Sequence, residues 1–242
     1  MRFCLTSFKD FKNILMTAEL VLNEIKFEAD NDGLRFRGFD GGKTSFFSAE
    51  FSRDYFDEYD VGVAETIVVD SSEINKVMKR IKNTDEVCVS IDDYAFIIKV
   101  NDKKSFKINA LDSEYDSPNL PPMEFPISTR VDFNDFKDSI SDSSLYSDSF
   151  SIESASDDSL VISADGVLGE YKSELLVGDE LVVGCKSVFR GSLMSSFLKL
   201  GGLADMVSLK MGTQFPILLE IMDDLDEVKV KLLVAPRITE DY

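Results

Sequence analysis

Residues 73–83 read EINKVMKRIKN and gather Lys76, Lys79, Arg80 and Lys82 into seven positions. The whole 242-residue chain holds 45 acidic against 26 basic side chains, a net charge of −19. Ammonium and guanidinium groups at such density are suited to polyanions, whose phosphates they neutralise without reading sequence. Other chemistry finds little support. Histidine is absent, which removes the commonest general base and the commonest transition-metal ligand. There is no CxxC, no Walker-type GxxxxGK[ST] and no GxSxG. Glu28-Ala-Asp30-Asn-Asp32-Gly33 resembles the start of a calcium loop, but its twelfth position is Phe39 instead of a bidentate Glu. A turn at Asp32-Gly33 explains those residues more simply. The pairs Asp92-Asp93, Asp157-Asp158 and Asp223-Asp224 lie between apolar runs, where turns are expected. No nucleophile–base pairing emerges, so neither enzymatic activity nor a metal or cofactor is expected.

The elements that must carry the cations can be read from periodicity. Ile74, Val77, Met78 and Ile81 recur at i, i+3, i+4 and i+7, which predicts an amphipathic helix over 73–83. Its start is expected to be capped at Ser71/Ser72. Further helices are expected over 8–19, 132–142 and 186–199. The last carries Lys186, Arg190 and Lys199 with no acid. Segment 8–19 balances Lys9 and Lys12 against Asp10 and Glu19, whereas 132–142 sets Lys137 against Asp132, Asp135, Asp138 and Asp142. The second and fourth helices therefore concentrate positive charge inside an otherwise acidic chain. Polyanion-facing helices within an acidic shell would produce this split.

The chain is also written twice. FKDFK at 8–12 returns as FNDFK at 133–137, and each is followed by a helical segment and a strand pair around a turn. IKFEA-DNDG-LRFRGFD (25–40) corresponds to FSIESA-SDD-SLVISAD (150–165). Between the repeats, LDSEYDSPNLPPMEFPI holds Pro118, Pro121, Pro122 and Pro126, four of the six prolines. Proline fixes φ and lacks a ladder donor, so this stretch should be an extended connector. The expected architecture is α+β: two similar domains, 1–111 and 128–242, joined by a connector over 112–127. Each domain would pack two helices on antiparallel curved sheets. With 44% hydrophobic residues a real core can form. No apolar run approaches the roughly 20 residues that span a bilayer, and the N-terminus does not read as a signal peptide. Cys4, Cys88 and Cys185 are few, odd in number and widely spaced. They predict no disulfide framework, with Cys88 a small strand residue in a reducing, intracellular compartment.

The repeat, the proline connector and the ending KLLVAPRITEDY together resemble sliding DNA clamps of the proliferating cell nuclear antigen type, especially archaeal ones. GLRFRGFDGGKTSFFSAEF (33–51) and GLADMVSLKMGTQFPILLEI (202–221) are similar to further stretches of that family. The resemblance runs from about residue 3 to 239. It implies a closed ring, usually a homotrimer, whose helices line a hole around double-stranded DNA. It further implies a processivity factor that tethers a replicative polymerase, clamp loader, ligase and flap nuclease, with no membrane association. Carried over residue by residue, the DNA-facing set is Lys12, Lys76, Lys79, Arg80, Lys82, Lys137, Arg190 and Lys199. The third helix departs from the family's basic pattern at DSISD (138–142). A pocket for partner peptides would be formed by Phe39, Thr44, Leu120, Pro121, Phe125, Pro216, Leu233, Ala235, Pro236 and Ile238. Ring closure would pair KSFKINAL (104–111), through Lys104, Phe106, Lys107 and Ile108, with YKSELLV (171–177) and its flank. The facing residues would be Glu170, Lys172, Glu174 and Leu175. One subunit of a heterotrimeric or checkpoint-type clamp, a monomeric viral processivity subunit and an acidic scaffold are the alternatives. The expected location is intracellular, with the nucleoid or, in a eukaryotic host, the nucleus.

Overall fold

The computed structural model describes residues 1–92, 94–113 and 116–237. They form two compact units: Met1–Leu120 with Met222–Val230, and Pro121–Ile221 with Lys231 onward.

The first unit runs β1 (Arg2–Leu5), α1 (Lys9–Ala18), β2 (Glu24–Ala29), β3 (Gly33–Phe39), β4 (Ser45–Ser52), β5 (Glu58–Asp60), β6 (Glu65–Asp70), α2 (Ser71–Met78), β7 (Val87–Asp92), β8 (Ala95–Val100) and β9 (Lys104–Asn109). Alternation builds the strands. In β2, Ile25, Phe27 and Ala29 are buried while Lys26 and Glu28 between them are not. Helix α1 turns Phe11, Ile14, Leu15 and Ala18 inward. There Phe11 meets Phe3, Phe8, Phe51 and Phe56 at ring separations of 5.0–6.3 Å, the aromatic centre of the unit. The β2–β3 turn forms at Asp32-Gly33 as the residues imply. Asp30 accepts the N–H groups of Asp32 and Gly33, and a Cβ on Gly33 would stand 1.9 Å from the Phe51 carbonyl oxygen. Only glycine fits there.

The strands order as β5-β1-β7-β8-β9 and β4-β3-β2-β6. This topology makes β1 and β7 neighbours, with Cys4 directly opposite Cys88, and the two are joined as a disulfide. Cys88 is a strand residue as expected, but the expectation of no disulfide is overturned. A spacing of 84 residues conceals the pairing until the sheet closes. Cys185 remains a buried free thiol.

The second unit runs β10 (Ile127–Asp132), α3 (Phe133–Ser143), β11 (Ser149–Ser154), β12 (Ser159–Gly166), β13 (Gly169–Leu176), β14 (Lys186–Arg190), α4 (Gly191–Phe197), β15 (Met206–Met211) and the greater part of β16 (Ile217–Met222) and β17 (Val228–Val234). Its orders, β13-β12-β11-β14 and β10-β15-β16-β17, repeat β4-β3-β2-β6 and β1-β7-β8-β9 element for element. Phe8 and Phe133, like Phe11 and Phe136, are fully buried, so the duplicated FxDFK motif is core at both occurrences.

Two helices are shorter than their periodicity suggested. α2 ends at Met78, and its cap is Asp70, one residue before the expected serines: the carboxylate accepts from the N–H groups of Ser72 and Glu73 at 2.8 and 3.1 Å. The expected helix over 186–199 is a strand, then one short helix, then a 3-10 turn at Leu198–Leu200. The reason is local. In KSVFR, Ser187 and Phe189 point inward with period two while Lys186 and Arg190 are exposed, and the segment pairs with β11.

Candidate nucleic-acid and partner interfaces

The apolar stripe that positions the cations is as periodicity implies. Ile74, Met78 and Ile81 are 1–2% exposed, whereas Lys76, Lys79, Arg80 and Lys82 all face outward. Their distribution is not that of a uniformly basic helix. Lys76 lies within α2, and its ammonium is held 2.5 Å from the Glu73 carboxylate. Lys79, Arg80 and Lys82 follow the helix, and among the described residues none makes an ion pair. Cations just past a helix C-terminus meet the negative end of its dipole, and Asp85, which accepts the Lys82 backbone N–H at 2.8 Å, adds a carboxylate beside Lys82.

Lys12 is half-buried. Its Nζ donates to the Ile81 carbonyl at 2.7 Å and to Asn83 Oδ1 at 3.5 Å. It therefore fastens α1 to the turn that carries the free cations. Lys137 is exposed on α3 among the exposed Asp135, Asp138 and Asp142. The helix α4, GSLMSSF, carries no charge at all. Of its three expected cations, Lys186 lies in β14 and pairs with Glu153 at 3.2 Å. Arg190 ends that strand, and Lys199 lies in the 3-10 turn. The positive charge expected of a fourth helix is thus divided between β14 and the 3-10 turn.

Both units end a sheet in a strand with one free edge. β9 pairs with β8 and β13 with β12, and each is last in its order. On β9, Lys104 and Lys107 are exposed, Phe106 is half-buried and Ile108 is buried. On β13, Glu170, Lys172 and Glu174 are exposed and Leu175 is buried. Glu174 also accepts from Ser159 Oγ at 2.7 Å. Leu176, 76% exposed, closes a groove of about 400 Å³ shared with Asp135, Asp138, Ser139 and Tyr171.

The residues expected to receive partner peptides divide between the units. In the first, the Phe39 ring lies against Phe46 at 5.0 Å. Thr44 is exposed and tied to the Asp40 carboxylate through its N–H at 2.7 Å and its hydroxyl at 2.8 Å. Leu120 is half-buried. In the second, Pro121 is exposed, and Phe125 meets Phe215 edge-on at 5.4 Å. Pro216, Ala235 and Pro236 are half-buried and Leu233 is buried. Ile238 lies outside the described residues.

Similarity to known proteins decides the family. Residues 4–118 match the domain described as "Proliferating cell nuclear antigen, N-terminal domain". The DNA polymerase sliding clamp of Methanobrevibacter smithii is 31% identical over 223 residues, covering 91% of each chain. The chain belongs to the sliding-clamp family of proliferating cell nuclear antigen. The clamp of Methanothermobacter thermautotrophicus is 29% identical, over 93% of this chain and 95% of that protein. Among solved structures, A. fulgidus PCNA bound to the C-terminal region of FEN-1 superposes with a TM-score of 0.89 at 21% identity, covering 99% of both chains. The PCNA2–PCNA3 complex of Sulfolobus tokodaii gives 0.85 at 24% identity, covering 98% of this chain and 99% of that one. The clamp fold here is thus that of the family: four helices on antiparallel sheets.

Two features of this clamp were not in the expected sites. Phe215, which packs on Phe125, is flanked by the named Pro216 and could have been found by that proximity. Arg237 donates its backbone N–H to the Val188 carbonyl at 2.7 Å and its guanidinium to Ser149 Oγ. Nothing local in KLLVAPRITEDY signals that contact, because its partners lie 49 and 88 residues away.

Proposed function

We propose that this clamp closes into a ring of identical copies around double-stranded DNA and holds replication enzymes there. One observation carries the reading. In a chain of net charge −19, Lys79 and Arg80 stand exposed with no ion pair among the described residues, and Lys82 stands exposed beside Asp85. Weak, sequence-independent phosphate contacts are what a sliding protein needs, because enclosure supplies retention and the contacts need only be salt-sensitive and transient. Lys76 and Lys199 add to this surface, with Lys137 in a lesser part. Lys12 contributes by bracing the turn.

The free edges of β9 and β13 supply ring closure by pairing between copies, since exposed edges otherwise invite uncontrolled association. Lys104 and Lys107 then face Glu170 and Glu174. The acidic α3 also finds a task. It packs against β13 as α2 packs against β9, so joining the two edges brings its aspartates beside the cationic turn of the next copy. Opposite charges on the two edges of one chain favour self-assembly over a mixed ring.

The peptide site is assigned to Phe39, Thr44, Leu120, Pro121, Phe125, Pro216, Leu233, Ala235, Pro236 and Ile238, with 112–127 as the connector over it. A partner would insert apolar anchors from a single helical turn. The naming of the relatives as DNA polymerase clamps and the FEN-1 segment on A. fulgidus PCNA support this tethering role. On this reading the protein works with the DNA inside the cell, as a processivity factor and not a catalyst.

The test is primer extension by the cognate polymerase on loaded, primed circles, with the mass of the clamp followed by light scattering. Wild type should have three times the 27.1 kDa chain mass and lengthen products. The variant Lys79→Glu/Arg80→Glu should shorten them. Unchanged product lengths with that variant would remove the DNA assignment, and a strictly monomeric wild type would remove the ring.

A further inference from the structure

We infer that Arg190 and Arg237 form a binding site for one phosphodiester group of the DNA backbone. The site rests on the reading of the protein as a DNA clamp and adds a residue, Arg237, from a tail otherwise concerned with partner peptides. A notch of about 360 Å³ opens in the second unit between the end of α3 and the start of α4. Ser144, Ser147, Asp148, Ser192, Arg190 and Arg237 line it.

The two arginines converge by construction. Register in the β11–β14 pair sets Ser149 opposite Arg190, and Ser149 Oγ accepts from the Arg237 guanidinium. The N–H···O bond from Arg237 to Val188 fixes the tail against the same strand. Two guanidinium groups held together repel unless an anion lies between them. Yet among the described residues neither makes an ion pair, although Asp148 lines the same notch. With no ion pair among the described residues, both guanidinium groups are able to take an anion supplied by another molecule.

The lining chemistry selects that anion. Guanidinium forks match the paired oxygens of a phosphate. Ser147 Oγ accepts the Ser149 N–H at 3.2 Å, which leaves its own O–H free to donate into the notch. Two guanidinium charges less the Asp148 carboxylate leave a single positive charge. A phosphodiester, with one negative charge, balances it, whereas a free phosphate dianion does not. Arg190 also leads directly into α4, one of the helices of the proposed DNA-facing side.

The experiment measures binding of the full-length ring to a 30-base-pair duplex by fluorescence anisotropy across a salt series. Arg237→Gln and Arg190→Gln should each weaken binding about three- to tenfold and lower the salt slope by about one. Their double variant should lose little more than either single one, because both grip the same phosphate. Arg237→Lys should recover part of the loss. Thermal melting and mass should match wild type, which separates a lost contact from a lost fold. If both Gln variants keep wild-type affinity and slope while Lys79→Glu/Arg80→Glu weakens binding, the notch assignment is wrong and the clamp reading stands. If none of the variants alters binding, the clamp reading fails with it. Inorganic phosphate at constant ionic strength should not displace the duplex. Displacement from wild type but not from Arg237→Gln would assign the notch to a free dianion and overturn the diester assignment.

Discussion

The two units share one strand order and differ in where they put charge. After α2 the first unit places Lys79, Arg80 and Lys82 outward with no ion pair among the described residues, while the second arrays Asp135, Asp138 and Asp142 along α3 and keeps α4 uncharged. Their cores hardly differ in kind. Phe8 and Phe11 in one unit correspond to Phe133 and Phe136 in the other, all fully buried. The inward positions hold the fold and tolerate little change, whereas the outward positions are free to take whichever charge the surface requires. Duplication followed by divergence of the exposed residues alone would give one unit a surface for phosphates and the other a surface for its neighbour.

The comparison can be broken first at the core. Phe11 touches four aromatic rings, and Phe136 has no such ring contact among the described residues. Phe11→Ala should cost about 3–5 kcal/mol, with Phe136→Ala at the lower end of that range. Urea unfolding of each variant measures this. Equal losses would mean that aromatic clustering adds nothing to burial.

The next largest difference is covalent. Only the first unit contains a disulfide, and it closes a loop spanning 84 residues. Reduction, or the double variant Cys4→Ala/Cys88→Ala, should destabilise that unit by about 2–4 kcal/mol. The second unit should be unaffected by reductant. Melting with and without reductant, followed by hydrogen exchange in β7 and in β11, distinguishes the units. Uniform loss of protection would contradict the assignment.

A smaller contrast lies at the helix caps. Asp70 receives two backbone N–H groups, from Ser72 and Glu73, whereas Asp132 receives one, from Asp135 at 3.0 Å. Asp70→Ala should therefore cost about 1 kcal/mol and Asp132→Ala less. Chemical denaturation resolves the difference.

Much of this was legible beforehand because it rests on short-range periodicity. The duplicated FxDFK, the alternation in IKFEA and the stripe of Ile74, Met78 and Ile81 all state burial directly. The cations of 73–83 could be recognised as outward for the same reason. What escaped depends on which segments become neighbours. KSVFR reads equally as helix or strand until β11 is beside it. Cys4 and Cys88 look unrelated until β1 lies against β7. The anion notch needs Arg237 to reach Ser149, and no local pattern announces that. Charge counted along a segment was also misleading at 186–199, because Lys186 and Arg190 belong to β14 and Lys199 to the 3-10 turn, with α4 between them uncharged.

The smallest contrast is in acid sensitivity. Glu220 on β16 lies between Lys210 at 2.7 Å and Lys231 at 3.1 Å. Burial alone would raise its pKa, but the hydrogen bonds and charges of the two lysines outweigh that and hold it below the ordinary glutamate range. A carboxylate depressed in the folded state contributes stability that is fully present above its unfolded value of about 4.3 and is lost as pH falls through the folded value. In the first unit Asp30 is likewise depressed. Burial opposes the shift there too, and the N–H groups of Asp32 and Gly33 and the Arg35 guanidinium outweigh it. Asp30, however, sits at an exposed turn where solvent weakens the effect. Acid titration of the second unit should therefore show the greater dependence on its own carboxylate. Glu220→Gln should flatten the stability of that unit between about pH 5 and 3, and Asp30→Asn should alter the first unit less. If the two substitutions changed the pH profiles equally, solvent exposure would not be what separates the two carboxylates.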